Sequence, residues 1–113
     1  RLEMIGKFEL KKSKSGQFMF NLKASNGRVI LTSELYKAKA GALNGIQSVR
    51  NNATKNANFE IKSSSKKQPY FVLKASNKEI IGKSEMYSSV SNMKIGIASV
   101  KKNAPKAKVD DLA

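Results

Sequence analysis

Polar and apolar residues alternate from the start of the chain. Gly6-Lys7-Phe8-Glu9-Leu10-Lys11 predicts a first strand with Phe8 and Leu10 inward. Lys12 to Gly16 is polar and ends in glycine, which suits a hairpin connection. Gln17 to Ala24 carries the strongest alternation, with Phe18, Phe20, Leu22 and Ala24 on one face and Met19, Asn21 and Lys23 on the other. Ser25-Asn26-Gly27 then predicts a tight hairpin in which Asn26 and Gly27 both take positive φ. Arg28 to Ser33 follows as a third strand, and its continuous Val-Ile-Leu run leaves the buried face open. Beyond Tyr36 the period lengthens. Ala42, Ile46, Val49 and Ala53 form an apolar stripe on a helix running roughly from Ala38 to Asn51, with Asn52 as its stop. Gly41 and Gly45 weaken that helix but allow a close approach to the sheet.

The pattern then returns. From Phe8 to Ala53 the chain aligns without a gap to Phe59 to Ala104, at a constant offset of 51 residues and with about 21 identities in 46 positions. That similarity marks an internal duplication. In the second copy Phe59 and Ile61 point inward on a strand, Tyr70 to Ala75 is the strong strand, and Glu79 to Ser84 is the third. Ser76-Asn77-Lys78 is its turn, less comfortable for lacking the glycine. Ser88 or Ser89 caps a helix bearing Met93, Ile97, Val100 and Ala104, which Pro105 ends. The tail, Lys106 to Ala113, either adds a short edge strand or frays.

The expected fold is therefore α+β: a tandem duplication of a β-β-β-α unit, with antiparallel strands, one helix per repeat and a pseudo-twofold axis. Repeat 1 spans residues 5–53, repeat 2 spans 57–104, and 105–113 form the tail. A unit of about 50 residues buries too little apolar surface to stand alone, so the two should share one core. The chain is then a monomer acting as a pseudo-dimer.

Composition removes several classes of chemistry. Cysteine and histidine are both absent, which excludes disulfides, thiolate sites and the commonest general base and metal ligand. No run approaches a membrane span of about 18–20 apolar residues, so a soluble cytoplasmic protein without membrane attachment is expected. Met4 reads as a natural initiator behind three foreign or upstream residues.

The formal charge of +14 points to anionic partners. It is spread evenly and is nearly all lysine, with arginine only at positions 1, 28 and 50. Lysine acts as a point charge, whereas arginine's rigid fork reads base edges. Sequence-independent contact with nucleic acid, through Lys23, Lys74, Tyr70 and Arg28, is one reading; a solvated surface with lysine stems lying over apolar neighbours is the other. Ser33-Glu34-Leu35-Tyr36 recurs as Ser84-Glu85-Met86-Tyr87. Glu34 and Glu85 could pair as carboxylates in a cleft, but the expected role of the motif is structural: Ser33, Glu34, Ser84 and Glu85 satisfying amides near the helix start, and Tyr36 and Tyr87 packing beneath it. Gly41 and Gly45 match no phosphate-binding loop, and Asp110-Asp111 is too few ligands for a hard cation, so no catalytic, cofactor or metal residue is assigned.

KFELKKSKSGQFMFNLKASNG, VILTSELY and GIQSVRNNA, with their second copies LKASN, IIGKSEMY and GIASVKKNA, resemble the YegP-like family of small bacterial proteins, over nearly the whole of Gly6 to Ala104. The resemblance implies a tandem β-β-β-α duplication imitating a dimer of single-repeat relatives, and brings no activity, cofactor or catalytic residue. The expected function is a non-enzymatic binding module for an anion such as nucleic acid. The alternative is a protein-interaction or stress-associated module whose charge serves solubility.

Overall fold

The computed structural model describes residues 5–113, so the expectation about Met4 lies outside the described residues. Strands β1 (Lys7–Lys12), β2 (Phe18–Lys23) and β3 (Val29–Thr32) lead into helix α1 (Lys39–Asn52). A single 3-10 turn at Asn56–Asn58 precedes β4 (Phe59–Ser63), β5 (Pro69–Lys74) and β6 (Ile80–Lys83), then helix α2 (Val90–Asn103) and β7 (Lys108–Asp111). All strands join one seven-stranded sheet of order β4-β5-β6-β3-β2-β1-β7. The sheet is mixed rather than purely antiparallel, because β7 runs parallel to β1. The tail thus resolves as a strand.

Alternation decides the faces. Phe8 pairs with Leu22 and Leu10 with Phe20, and all four are fully buried under the helices. Phe8, Phe20 and Leu22 share one cluster with Phe71, Leu73, Val49, Met93 and Val100, so one core serves both halves. In the third strands the uncertain face is settled by a register shift beside Leu22/Lys23, repeated beside Leu73/Lys74. The extra residue lets both Ile30 and Leu31 be buried.

The halves meet where β3 lies antiparallel to β6, and the ladder there is a single pair, Thr32 with Lys83. Side-chain packing holds the seam instead. Leu31 sits against Gly82, its counterpart in the other copy: a Cβ on Gly82 would lie 2.6 Å from Leu31 Cγ. Two leucines cannot occupy these positions, and the duplicated sequences differ here for that reason.

The turns depart from the two-residue hairpin. Gly27 donates to the Ala24 carbonyl, and only Gly27 has positive φ, +84°; Asn26 instead uses its side chain to accept from the Arg28 amide. This is a type I turn followed by a left-handed residue, which matches the adjacent register shift. In the second copy Lys78 takes φ +70°. The end of α1 also differs from expectation, while the start of α2 follows it. Asn52 is helical, its Nδ2 donating back to the Ser48 carbonyl, and Ala53 is the cap. Ser89 caps α2 by accepting from the Asn92 amide.

Two outcomes follow from this geometry. A side chain in the left-handed region is strained, so Lys78→Gly raises unfolding free energy by roughly 0.5–1 kcal/mol, read from the urea midpoint. At the seam, Gly82→Ala costs about 1–3 kcal/mol by overpacking, and the cost shrinks in a Leu31→Ala background. A double-mutant cycle in urea measures that coupling.

Candidate functional site

The face opposite the helices bears no covering element among the described residues, and charge collects there. Odd-numbered residues of β1 and β2 point to it: Lys7 opposite Lys23, Glu9 opposite Asn21, Lys11 opposite Met19. On the far side of β1, Lys108 pairs with Lys7 and Asp110 with Glu9. Three adjacent strands therefore present Lys23, Lys7 and Lys108 in one row, with Asn21, Glu9 and Asp110 in the next. The other half repeats the theme, with Lys74 and Val72 on β5, Glu60 and Lys62 on β4 and Lys83 on β6.

The glutamates organise these lysines. Glu9, only 7 % exposed, receives Lys23 at 2.9 Å, Lys7 at 3.4 Å and Lys11 at 3.5 Å. Lys7 also reaches Asp110 at 3.2 Å. Glu60 holds Lys74 and, at 3.4 Å, Lys62. The Lys23 ammonium, and secondarily Lys7 and Lys11, keeps the Glu9 carboxyl below its ordinary value. Lys74 does the same for Glu60, aided by Lys62. Lys83 lies 5.1 Å over the Tyr70 ring on the same face.

Of the four residues expected to contact an anion, Lys23, Lys74 and Tyr70 therefore share this face. Arg28 sits elsewhere, at the junction of the halves. Its Nε donates to Glu85 Oε2 at 3.0 Å and its Nη2 to Glu85 Oε1 at 2.8 Å, a fork that ties the β2–β3 hairpin to the second repeat. Sequence reasoning gave no role to Glu9 and Glu60, although both recur at the repeat offset on the lysine face. That recurrence was the available signal.

In the Ser-Glu-x-Tyr motifs the tyrosines lie under the helices as expected, whereas the serines bond away from the helix start. Ser33 Oγ accepts from the Phe20 amide at 2.9 Å and donates to the Glu34 carbonyl; Ser84 does likewise with Phe71 and Glu85. Each serine thus continues its strand ladder past β3 or β6. Tyr36 stacks on Phe20 and Tyr87 on Phe71. Burial raises both phenols above their usual range, with a smaller push from Glu34 and Glu85 respectively. The Tyr87 hydroxyl lies against Gly96, where any Cβ would collide with it. The Tyr36 hydroxyl closes Gly45 in the same way, so glycine recurs at this position of each helix.

Two recesses mark the junction. One, of about 470 Å³, lies between the β2–β3 hairpin and α2, lined by Asn26, Arg28, Gln68, Tyr87, Asn92 and Ser99 among others. A second, shallow one of about 610 Å³ includes both Glu34 and Glu85, with Arg28 and Lys83 beside them. The two motif carboxylates are therefore brought to one depression, with Glu85 already engaged by Arg28. Among the described residues no three acidic side chains gather as a metal site, and no helix is long and apolar enough to cross a membrane.

Fold and surface together define a duplicated α+β protein with a basic open sheet face. The comparisons agree on the duplication and the fold. The model of a domain of unknown function (DUF1508) matches twice, over residues 13–60 and 64–111. The chain is 53% identical to the UPF0339 protein YegP of Yersinia pestis over 108 residues, 96% of each chain. It is also similar to solution structures of a UPF0339 protein from Shewanella oneidensis, with a TM-score of 0.91 and 50% identity over 96% of this chain and 92% of that one. For the yegP protein of unknown function from E. coli the TM-score is 0.93 at 48% identity, over 99% and 97%. The chain belongs to this UPF0339 (DUF1508) family, whose function is uncharacterised.

The lysine-bound glutamates set a pH dependence. Their folded carboxyls lie below the ordinary 4.5, so their contribution is fully present above that value and is lost as pH falls through the lowered one. Urea midpoints should decline from about pH 5 toward pH 3, and Glu9→Gln should flatten the decline.

Proposed function

We propose that the protein acts by binding rather than catalysis, and that its open sheet face holds a polyanion in a sequence-independent way. Single-stranded nucleic acid is the partner whose chemistry fits best. The row Lys23–Lys7–Lys108 across three neighbouring strands carries this reading. Like charges side by side on a sheet oppose folding. Glu9 and Asp110 offset only part of that repulsion, so the face keeps an excess of ammonium groups for phosphates. Tyr70, with Lys83 over its ring, offers a base one surface to stack on.

On this reading the two β-β-β-α repeats, 5–53 and 57–104, are related by a pseudo-twofold axis at the β3–β6 seam. The tail 105–113 straps one edge, and the chain works as a monomer that imitates a dimer. The fork from Arg28 to Glu85 favours binding over catalysis, because it commits one of the two motif carboxylates to structure.

Fluorescence anisotropy of labelled single-stranded DNA and RNA tests the reading. Affinity should fall steeply and linearly with the logarithm of salt concentration, and Lys23→Glu with Lys74→Glu should weaken all sequences alike. Glu60→Gln, which releases Lys62 and Lys74, should tighten binding. No measurable affinity near about 150 mM salt would overturn the reading and leave the charge to solubility.

A further inference from the structure

The two outer strands of the duplicated sheet are not finished alike. β1 carries β7 along its outer edge, whereas β4, its counterpart at the 51-residue offset, is the last strand on its side among the described residues. Sequence hardly distinguishes them: Phe8-Glu9-Leu10-Lys11 against Phe59-Glu60-Ile61-Lys62. Exposure does. Leu10 is fully buried and Ile61 is 57 % exposed; Phe8 is fully buried and Phe59 only partly. The tail accounts for part of the difference, since Asp111 pairs with Leu10 and the Leu112 amide donates to the Leu10 carbonyl at 2.8 Å. Above β1, Arg50 caps Phe8 and donates to the Ala107 carbonyl at 2.6 Å. The same parts stand ready above β4, where Lys101, counterpart of Arg50, lies 5.8 Å over Phe59.

We infer that the β4 edge is a receptor for an extended segment of a partner protein, added in parallel as β7 is added to β1. The chain's own tail is the template for that ligand, and the positions that differ define its chemistry. Asp111 meets Lys39 beside β1. The counterpart of Lys39 is Val90, 54 % exposed, which with Ile61 makes this end of the β4 slot apolar. The ligand therefore carries small or branched apolar residues where the tail has Ala107, Val109 and Asp111. At its open-face positions it keeps the chemistry of the tail's Lys108 and Asp110: a basic residue level with Asn58 and beside Glu60, then a carboxylate one step from Lys62. Backbone bonds to the outward groups of Phe59 and Ile61 supply the affinity, and alternate side chains supply the selectivity.

The probe is a synthetic peptide of residues 105–113 carrying Asp111→Val, titrated into the isotopically labelled full chain and followed by amide NMR shifts. Saturable shifts confined to Asn58–Ser63, Val90 and Lys101 are expected, with a dissociation constant below about 1 mM. Ile61→Asp should weaken binding about tenfold or more, and because Ile61 is exposed the rest of the spectrum should not change. The unmodified tail peptide should bind more weakly than the variant. No saturable shift at several-fold higher peptide concentration would overturn the proposal, as would binding indifferent to Ile61→Asp. Shifts that fall on the lysine face instead would also overturn it, while leaving the polyanion reading intact. Self-association through β4 without peptide would assign the edge to a second copy and overturn the partner.

Discussion

The contact between Leu31 and Gly82 decides whether two marginal units become one protein. Each half brings three strands, a helix and its own aromatic stack, yet the ladder between the halves is one residue pair long. With so little backbone pairing, the seam depends on a knob meeting a space. Leu31 fills the room that the missing side chain at Gly82 leaves, and the core clusters on either side then merge. A perfect duplication would fail here, because identical residues at a self-facing position must both be small or must clash. The Arg28–Glu85 fork near the same seam, where Arg28 stands at the position of Glu79 in the other copy, adds a polar tie outside the core.

Divergence elsewhere has left the second copy the less complete. It keeps lysines at both left-handed turn positions, Lys67 and Lys78, where the first copy has Gly16 and Gly27. Its outer strand lacks the strap that β7 gives to β1, and Glu60 is more exposed than Glu9. The first copy is thus closed and the second open, which is where an interaction is to be sought.

Much of this was legible from periodicity. Alternation at Phe8-Leu10 and Phe18-Phe20-Leu22 placed the strands, and the Ala42-Ile46-Val49 stripe placed the helix, because both patterns are local consequences of burying one face. The offset of 51 residues supplied the second half. What escaped depends on distant partners. The Val29-Ile30-Leu31 run hides its register shift, since both Ile30 and Leu31 end up buried. Ser33 and Ser84 bond to amides 13 residues away in Phe20 and Phe71, not to the nearby helix. The tail was readable only as an edge strand or a frayed end, because Lys108 to Asp111 carry two carboxylates; the lysines at 7 and 39 make the strand favourable. On the site, sequence placed Lys23, Lys74 and Tyr70 on the outward face but not the glutamates that hold those lysines.

The most direct test of a single shared core is native-state amide hydrogen exchange. The buried amides of β2 and β5 should open with the same free energy, equal to that of global unfolding, and both should respond equally to denaturant. If the β4-β5-β6 half exchanged through a separate, cheaper opening while β1-β2-β3 stayed protected, the halves would be two folding units and the seam would not be what the fold depends on.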